Sequence, residues 1–340
     1  MPADFEQPVI LSGLEPEDIA RLFPDEPAFR GTQIFRWIHR GTESFGEMTN
    51  LSKSLRDRLS RTCAIRTARP SRVLRGDDGT EKIRIDLADG TSVESVLLTD
   101  EKGRKTACLS TQVGCAMGCA FCRTGSMGFI RNLETSEIIE QYHLLSLRHE
   151  RLSNIVFMGM GEPLLNTENL YRSVRILTHP EGPALAPRRI TVSTCGIVPA
   201  IEDLARLAPG VRLAVSLPSA DPVKRKELMP GASKYTLVEL KKALAGYQQS
   251  ARDRITVETA LFRGYNTGRD DAEKLLSFTG GLNAVVNLIP FNPFEGSSFQ
   301  EPSSEEIKSF TAYLEHGGLK VTRRYRRGRG ILGACGQLAT

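Results

Sequence analysis

The sequence predicts an α/β protein in which six βα units form a partial (β/α)6 barrel, preceded by a small helical N-terminal domain and a connecting β-hairpin. From about residue 105 onward, short apolar runs alternate with longer amphipathic stretches, as expected for βα units around a parallel sheet. The preceding part shows apolar residues at helical spacing, followed by two strand-like runs separated by Asp89-Gly90. A chain of 340 residues is long enough for one core of this size plus a small domain.

These patterns divide the chain into four segments. We expect an N-terminal domain at 1–75, the hairpin connector at 76–104, the barrel at 105–322 and a basic C-terminal segment at 323–340. In the N-terminal domain, Thr49 and Asn50 are predicted to cap a helix that begins after them. In the connector, the predicted strands cover 83–88 and 91–98, and their alternation around an Asp-Gly turn is typical of a hairpin.

Six predicted strands build the barrel, at 106–111, 154–159, 190–194, 212–217, 255–261 and 284–290. In a parallel barrel the ligand site lies at the carboxyl ends of the strands, where the βα loops meet. Polar or chemically distinctive residues follow five of these strands, namely the cysteine run 115–122, Gly161 to Pro163, Ser193-Thr194, Ser216 to Pro218 and Asn292. We therefore expect these residues to form one site.

Charge is distributed unevenly along a chain whose formal net charge is +5. Residues 1–30 are acidic, whereas 53–75 carry eight lysines and arginines against one acid, Asp57. A second basic cluster comprises Arg323, Arg324, Arg326, Arg327 and Arg329. A solvated surface would explain either cluster alone, but two clusters beside one catalytic core favour a polyanionic substrate.

Features of export and of membrane insertion are missing from the sequence. No apolar run reaches the roughly 18 residues needed to cross a bilayer. The N-terminal stretch lacks the basic start, apolar run and cleavage site of a secretory signal. Seven cysteines, of which three fall within eight residues, argue against a disulfide framework. We expect a cytoplasmic protein without membrane contact.

Cys115, Cys119 and Cys122 form a C-x3-C-x2-C motif in the stretch GCAMGCAFC. Three thiolates at this spacing can hold one [4Fe-4S] cluster. They leave one iron open, which S-adenosylmethionine (SAM) can chelate through its amino and carboxylate groups. The alternative is a structural zinc site with Cys108 or a histidine as fourth ligand. Structural zinc sites usually show two C-x2-C pairs, whereas this stretch has one triplet and no histidine.

Seven stretches distributed over nearly the whole chain match one known family. They are FRGTQIFRWI, FGEMTNLSKSLR, CLSTQVGCAMGCAFCRTGSMGFIRNLETSEI, FMGMGEPLLN, RRITVSTCGIVPA, NLIPFNPF and ACGQLA. In these stretches the chain resembles the dual-specificity ribosomal and transfer RNA adenine C2 methyltransferases of the radical SAM superfamily. The resemblance implies a radical SAM barrel. It also implies methylation at C2 of adenine 2503, in the peptidyl-transferase region of 23S rRNA, and of adenine 37 in tRNAs.

The resemblance further implies roles for three residues outside the cysteine motif. Cys335 is expected to take a methyl group from one SAM and to become S-methylcysteine. A second SAM in each turnover supplies the 5′-deoxyadenosyl radical that activates this methyl group, because C2 of adenine has no lone pair for a polar transfer. Cys108 is expected to resolve the resulting protein–RNA adduct by forming a transient disulfide with Cys335. Glu94 is expected to accept the proton from C2.

The positions that match the family's SAM contacts are Gly161, Glu162, Ser193, Ser216, Leu217, Pro218 and Asn292. Many relatives have histidine where this chain has Pro218, so the resemblance does not imply a side-chain contact there. Cys195 stands where serine is frequent, and we interpret Cys195 and Cys63 as small buried hydrophobes. The Gly-Glu-Pro sequence, in place of Gly-Glu-Ala, favours C2 methylation over the C8 methylation of the related resistance enzymes.

The implied partners are 23S rRNA, tRNA and a flavodoxin-like or ferredoxin-like electron donor, and we expect a monomer. We expect the N-terminal domain to grip RNA with the basic face of 53–75, which makes binding salt-sensitive, while the barrel carries the chemistry. Two other functions stay open at this point. One is methylation of adenine at C8, and the other is a non-catalytic, zinc-containing RNA-binding or ribosome-assembly factor.

Overall fold

The computed structural model describes residues 8–149, 152–251, 253–324 and 327–340. Its strands are β1 (Val9–Ile10), β2 (Cys63–Ala64), β3 (Arg69–Arg75), β4 (Glu81–Asp86), β5 (Ser92–Thr99), β6 (Lys105–Cys108), β7 (Gln112–Gly114), β8 (Phe129–Asn132), β9 (Asn154–Phe157), β10 (Ile190–Thr194), β11 (Arg212–Ser216), β12 (Ile255–Leu261), β13 (Ala284–Pro290) and β14 (Lys320–Arg323). Its α-helices are α1 (Pro16–Leu22), α2 (Phe29–His39), α3 (Lys53–Thr62), α4 (Arg123–Ser126), α5 (Thr135–Ser146), α6 (Thr167–Thr178), α7 (Val198–Leu207), α8 (Pro222–Leu228), α9 (Leu237–Ala251), α10 (Arg269–Thr279) and α11 (Ser304–His316). In the described part of the chain, no helix combines the length and apolar character needed to span a membrane.

Ten strands form one sheet in the order β14-β13-β12-β11-β10-β9-β6-β5-β4-β3. The seven strands from β6 to β14 run parallel, and β3 to β6 pair antiparallel. Helices connect the parallel strands in the alternation that the sequence predicts. The α/β class is confirmed, and the strand ends that carry the predicted site lie along one edge of the parallel part.

Two details of the parallel part differ from the prediction. The sheet has one parallel strand more, β14, which lies at the edge of the sheet. Only Val321 of its four residues is apolar, so no hydrophobic pattern marks this strand in the sequence. The first predicted strand, 106–111, ends at Cys108. Beyond Cys108 the chain leaves the sheet for the separate hairpin of β7 and β8.

The predicted connector is a hairpin, as expected, since β4 and β5 pair antiparallel along their length. In its turn, the Asp89 carboxylate accepts hydrogen bonds from the Thr91 backbone (2.9 Å) and hydroxyl (2.6 Å). The hairpin is also part of the main sheet, because β5 pairs with β6. Residues 69–75, predicted within the helical domain, form the edge strand β3, where Pro70 is tolerated because an edge strand can lack one N–H donor.

The N-terminal helices pack against α5 and α6 through buried and charged contacts. Ser12 donates to the buried Glu140 carboxylate of α5 (2.7 Å). Glu15 pairs with Arg175 of α6 (2.8 Å). The acidic character of the N-terminal segment therefore serves docking onto a basic helix of the barrel. Asp4 and Glu6, which belong to the same acidic block, lie outside the described residues.

The predicted cap of α3 is wrong by two residues. Ser52 is the N-cap, and its hydroxyl accepts a hydrogen bond from the Leu55 backbone (3.2 Å). Asn50 accepts instead from the Trp37 indole (2.7 Å). An N-cap must directly precede the first helical residue to reach the free N–H groups of the first turn.

Candidate active site

The hairpin of β7 and β8 frames the cysteine motif. Gly114 at the end of β7 has a φ of 73°, and a Cβ there would lie 2.0 Å from the Gly128 carbonyl oxygen. Only glycine therefore allows the two strands to meet. Between them, the Ala120 N–H donates to the Leu228 carbonyl at the end of α8 (2.9 Å). The cysteine loop is thereby tied to the rim of the parallel sheet.

Cys115, Cys119 and Cys122 line one cavity of about 150 Å³. Burial raises the pKa of Cys115 to about 12 and that of Cys122 to about 11, so both are neutral thiols when no metal is bound. A coordinated thiol loses its proton to the solvent, so these side chains can become thiolates on binding iron. Among the described residues, no three histidine, cysteine or acidic side chains are arranged to hold a single metal ion.

Cys195 lies in the wall of the same cavity, so its interpretation as a buried hydrophobe is incomplete. Its Sγ is 3.9 Å from the Sγ of Cys119, and its backbone N–H donates to the Glu162 carboxylate (2.7 Å). The signal in the sequence was its position directly after β10, on the ligand-bearing edge of the sheet. Cys63 is buried in β2, as expected.

Gly161 and Glu162 shape the loop after β9. Gly161 has a φ of 100°, and a Cβ there would lie 2.5 Å from the Cβ of Gln112. The buried Glu162 carboxylate accepts hydrogen bonds from the backbone of Leu164 (3.0 Å) and Cys195 (2.7 Å). Burial raises the pKa of Glu162, against the effect of these bonds. A bound ammonium group beside it would favour the charged form.

Most of the other predicted SAM contacts face this cavity, namely Ser193, Ser216, Pro218 and Asn292. Leu217 is not among the lining residues, and its side chain is fully buried. The buried Asn292 Oδ1 has no hydrogen-bond partner in the described structure. A hydroxyl or amino group of a bound nucleoside would satisfy this acceptor, and the neighbouring serines suit a ribose. The donor set therefore fits SAM.

Cys335 lines this cavity and a second, outer cavity of about 450 Å³. Cys108 lines the outer cavity and is buried, whereas Cys335 is exposed. The two thiols therefore share the outer cavity, and burial raises the pKa of Cys108 to about 12. Protein surrounds Cys335 at the cavity mouth and raises its pKa, while the nearby Arg324 opposes this rise.

The segment that carries Cys335 is bonded to the cysteine loop. The Arg123 N–H donates to the Gly336 carbonyl (2.8 Å), and the Thr124 hydroxyl donates to the Leu338 carbonyl (2.6 Å). These two bonds anchor the backbone on the C-terminal side of Cys335 and leave its thiol reachable.

Glu94 lies behind this segment and is not among the residues that line either cavity. Its Oε1 is 2.8 Å from the ammonium of Lys82, and its Oε2 accepts a hydrogen bond from the Ala339 N–H (3.0 Å). Both carboxylate oxygens are therefore engaged within the protein.

Two charged residues that line the inner cavity were not predicted as site residues. Glu258 on β12 is buried in the wall of the inner cavity and accepts a hydrogen bond from Asn287 (2.8 Å). Arg324, predicted as part of a basic surface cluster, lines both cavities. A lone acid in the apolar strand ITVETAL was the signal for Glu258. For Arg324 the sequence offered no such signal. This residue directly follows β14, which was not predicted, so its position at the end of a parallel strand was not apparent.

The two basic clusters are partly used within the protein. In the first, Arg58 pairs with Asp25 (2.6 Å) and Arg75 with Glu81 (3.0 Å). The members without an ion-pair partner in the described part of the chain are Lys53, Arg56, Arg61, Arg69 and Arg72. In the second, Arg323, Arg324 and Arg327 line the outer cavity together with Lys102 and Arg104, Arg329 pairs with Glu301, and Arg326 lies outside the described residues.

A parallel α/β sheet with a three-cysteine loop after its first parallel strand, and a cavity at the carboxyl ends of the strands, defines the class of radical SAM enzymes. Comparison with known families agrees with this class. Residues 109–278 match the radical SAM superfamily, and residues 11–65 match the ribosomal RNA large subunit methyltransferase N-terminal domain.

Similar proteins and one solved structure show which family of radical SAM enzymes the chain resembles most clearly among these comparisons. The chain is 48% identical over 328 residues to a probable dual-specificity RNA methyltransferase RlmN of Treponema pallidum, and the match covers 96% of each chain. It is 45% identical over 312 residues to the dual-specificity RNA methyltransferase RlmN of Pelobacter propionicus, with 91% of this chain and 89% of the relative covered. A radical SAM methyltransferase from Sphaerobacter thermophilus has a TM-score of 0.93 at 40% identity, with 97% of this chain and 99% of that one covered. The chain therefore belongs to the RlmN family of RNA methyltransferases, and it is an enzyme. Membership of the radical SAM superfamily implies an iron–sulfur cluster and SAM.

Proposed function

We propose that this enzyme methylates C2 of adenine 2503 in 23S rRNA and of adenine 37 in tRNAs, through S-methylcysteine at Cys335 and a transient protein–RNA adduct. The observation that carries the proposal is the position of Cys335, which lines both the cavity of the cysteine triplet and the cavity of Cys108. A single thiol at this junction can meet SAM on one side, and RNA and a second thiol on the other.

We propose that Cys115, Cys119 and Cys122 hold one [4Fe-4S] cluster, and that SAM is bound against it by Gly161, Glu162, Ser193, Ser216, Pro218 and Asn292. When bound, the cluster and two SAM molecules supply one methyl group and one 5′-deoxyadenosyl radical per turnover. The carboxylate of Glu162 and the open acceptor of Asn292 support this placement, since each provides an acceptor that a cationic, hydroxylated ligand needs.

Cys335 receives the methyl group as a thiolate, and its proton leaves to solvent. The positive charge of Arg324 favours this thiolate, because it opposes the rise of the Cys335 pKa that the surrounding protein at the cavity mouth causes. The S-methyl group loses one hydrogen atom to the 5′-deoxyadenosyl radical, and its carbon then bonds to C2 of adenine. The adduct gives up one electron, for which the cluster would be the acceptor, and the C2 proton, so that RNA is tethered to the protein by a closed-shell thioether.

Release of the RNA requires cleavage of the bond between that carbon and the Cys335 sulfur. The Cys108 thiolate attacks the Cys335 sulfur, so that an S–S bond forms as the C–S bond breaks. The released carbon keeps the electron pair of that bond and takes up a proton to complete the methyl group, and a cellular thiol reductant reopens the disulfide. We propose Glu94 as the acceptor of the C2 proton. Since Oε1 and Oε2 of Glu94 are engaged by Lys82 and Ala339, this role requires Ala339 to move away from Oε2.

For RNA binding we propose two contact areas, the five unpaired cations of the first basic cluster and the basic mouth of the outer cavity. Lys102, Arg323 and Arg327 provide positive charge at that mouth, where Arg104 pairs with Asp100 (2.6 Å) and the acids Asp100 and Glu101 are outnumbered. Both areas are suited to phosphates around an adenine that is unstacked to reach the thiols. We further propose a flavodoxin-like or ferredoxin-like electron donor, a monomeric state and a cytoplasmic location.

The proposed function is tested by Cys335→Ala in the enzyme purified anaerobically with its cluster. Cys63→Ala is the matched control, because Cys63 is also a lone cysteine but is buried in β2, away from both cavities. Cys335→Ala is expected to lose RNA methylation by at least about 1,000-fold, while it still cleaves SAM reductively, because only the methyl carrier is missing. Liquid chromatography with mass spectrometry of digested RNA, against 2-methyladenosine and 8-methyladenosine standards, measures the product.

Methylation by Cys335→Ala at the rate of Cys63→Ala would contradict the proposal. An 8-methyladenosine product from the unaltered enzyme would assign it to C8 chemistry. A colourless protein that contains zinc, and no iron or sulfide, would support the non-catalytic alternative.

A further inference from the structure

The segment that carries Cys335 is also held from its other side, by the hairpin of β4 and β5. Lys82 on β4 and Glu94 on β5 are diagonal neighbours on this hairpin, since Lys82 pairs with Val96. Each of the two side chains is only 8% exposed, and the ion pair measures 2.8 Å. Two charges withdrawn from water are stable only when hydrogen bonds occupy their remaining donors and acceptors.

The remaining bonds of this pair go to the backbone around Cys335. The Lys82 ammonium donates to the Leu332 carbonyl (3.1 Å), before Cys335 in the chain. The Glu94 carboxylate accepts from the Ala339 N–H (3.0 Å), after Cys335. The ion pair therefore joins the two ends of the short segment in whose middle the methyl-carrying thiol lies.

The backbone at the first of these contacts is in an unfavourable conformation. Leu332 has a φ of 51°, in the left-handed region that bulky residues adopt only when their surroundings impose it. Nearby, the Asp78 carboxylate accepts a hydrogen bond from the Gly328 N–H (2.6 Å) and fixes the start of the same turn. Without the Lys82 ammonium, the Leu332 carbonyl loses its donor and the turn is free to relax.

We propose that Lys82 is a positioning residue that, together with Glu94, clamps residues 332–339 and sets the thiol of Cys335 at the junction of the two cavities. This inference rests on the methyl-carrying role proposed for Cys335. Lys82 lines neither cavity, so it acts through Glu94 and through the backbone. Neither the cysteine motif nor the SAM contacts involve it.

The test compares three variants in the anaerobically purified enzyme with its cluster. Lys82→Met removes the ammonium at similar length, and Lys82→Arg restores a cation. Arg84→Met removes a cation of the same strand that lies opposite Glu94 in the register but, among the described residues, forms its ion pair with Asp86 (3.4 Å). Amide hydrogen exchange is measured by mass spectrometry on peptides from 327–340. Lys82→Met is expected to exchange about tenfold faster there, because one buried bond to the segment is lost and one is weakened, while the other two variants match the unaltered enzyme.

A second readout follows the thiol itself. Transfer of the first methyl group from SAM to Cys335, measured on the peptide mass without RNA, is expected to slow about tenfold in Lys82→Met and to recover in Lys82→Arg. Lys82→Met leaves Glu94 as an unpaired buried charge, which can prevent the protein from folding. The double variant Lys82→Met/Glu94→Gln removes both charges, and it replaces Lys82→Met if the single variant does not accumulate. It is expected to keep the fast exchange at 327–340.

Unchanged exchange at 327–340 in both Lys82→Met and the double variant would overturn the clamp, as would an equal rise of exchange over the whole protein. The exchange measurement needs neither RNA nor turnover. Failure of the clamp is therefore distinguishable from failure of the proposed function. If the proposed function fails, RNA methylation does not depend on Cys335, even though hydrogen exchange shows the clamp to be intact.

Discussion

One buried polar group in the parallel half of the sheet and one in its antiparallel extension differ in their hydrogen bonding. At the carboxyl ends of the parallel strands, a buried acceptor such as the Asn292 Oδ1 is left without a partner. In the extension, the buried Glu81 carboxylate bonds both Arg75 (3.0 Å) and Arg148 (2.5 Å). An unpaired buried group costs free energy until a ligand satisfies it, whereas a paired group is complete within the protein. The parallel half is thus a receptacle for ligands, and the extension is a support for the segment of Cys335.

Among the substitutions that test this comparison, Gly161→Ala in the receptacle has the largest expected effect. A Cβ at this φ of 100° would lie 2.5 Å from the Gln112 side chain, so the loop that carries Glu162 must shift. We expect SAM affinity to fall roughly 100-fold while the iron content stays unchanged. Equilibrium dialysis under anaerobic conditions and iron analysis measure the two quantities.

Gly264→Ala is the matched control for this substitution. Gly264 also has a positive φ, of 61°, but a Cβ there would meet nothing within 4 Å. Equal SAM affinities of the two variants would show that the loop after β9 does not shape the ligand site. That result would contradict the role of the parallel half as a receptacle for ligands.

In the support, Glu81→Gln should affect stability and leave SAM binding unchanged. Burial raises the pKa of Glu81, but Arg148 and Arg75 outweigh this effect and hold the pKa below its usual value. Because the folded pKa is lower than the unfolded value of about 4.3, the carboxylate stabilises the protein above about pH 4.3, and this contribution is lost as the pH falls through the folded value. We expect Glu81→Gln to lower the free energy of unfolding by about 2 kcal/mol at pH 7 and to reduce its fall in acid.

Urea unfolding at pH 7 and at about pH 3.5 measures both effects of Glu81→Gln. Asp77→Asn is the control, since Asp77 is an exposed acid of the turn between β3 and β4. A loss of SAM affinity in Glu81→Gln with unchanged stability would reverse the roles that we assign to the two halves.

The smallest expected effect belongs to Asn292→Ala. Asn292→Ala removes an acceptor that has no partner in the described structure and one hydrogen bond, which Nδ2 donates to the Cys335 carbonyl (3.2 Å). It should lower the free energy of unfolding by about 1 kcal/mol and weaken SAM binding about tenfold. Asn166→Ala is the contrast, because the buried Asn166 side chain donates to the carbonyls of Thr111 (2.9 Å) and Leu133 (2.7 Å). Asn166→Ala should lose stability. Unchanged SAM affinity in Asn292→Ala would show that its open acceptor is not part of the ligand site.

The receptacle was largely predictable from the sequence. Apolar strand patterns marked six of the seven parallel strands, and the rule that ligands lie at strand ends placed Gly161, Ser193 and Asn292 together before any coordinates. The roles proposed for Cys108 and Cys335 came from the resemblance. Locally, only the glycine-flanked position of Cys335 beyond the last predicted strand set it apart from Cys195, and that position indicates solvent access, not a reaction. In the structure Cys195 lies in the cavity wall, because the turn after β10 faces that cavity.

The support was not predictable from local patterns. Lys82 and Leu332 meet although they are 250 positions apart in the chain. Lysine and glutamate on a hairpin usually indicate a solvent-exposed face, and only the C-terminal segment that folds over them buries this pair. Strand β14 was not predicted because it is an edge strand with one apolar residue, which gives the sequence no hydrophobic alternation.

The central claim, that Cys335 carries the methyl group and Cys108 releases the RNA, is tested most directly by Cys108→Ala incubated with substrate RNA, SAM and a reductant. The account predicts that this variant forms a covalent protein–RNA species, visible on a denaturing gel, which a further Cys335→Ala abolishes. Normal turnover by Cys108→Ala without any covalent species would contradict it.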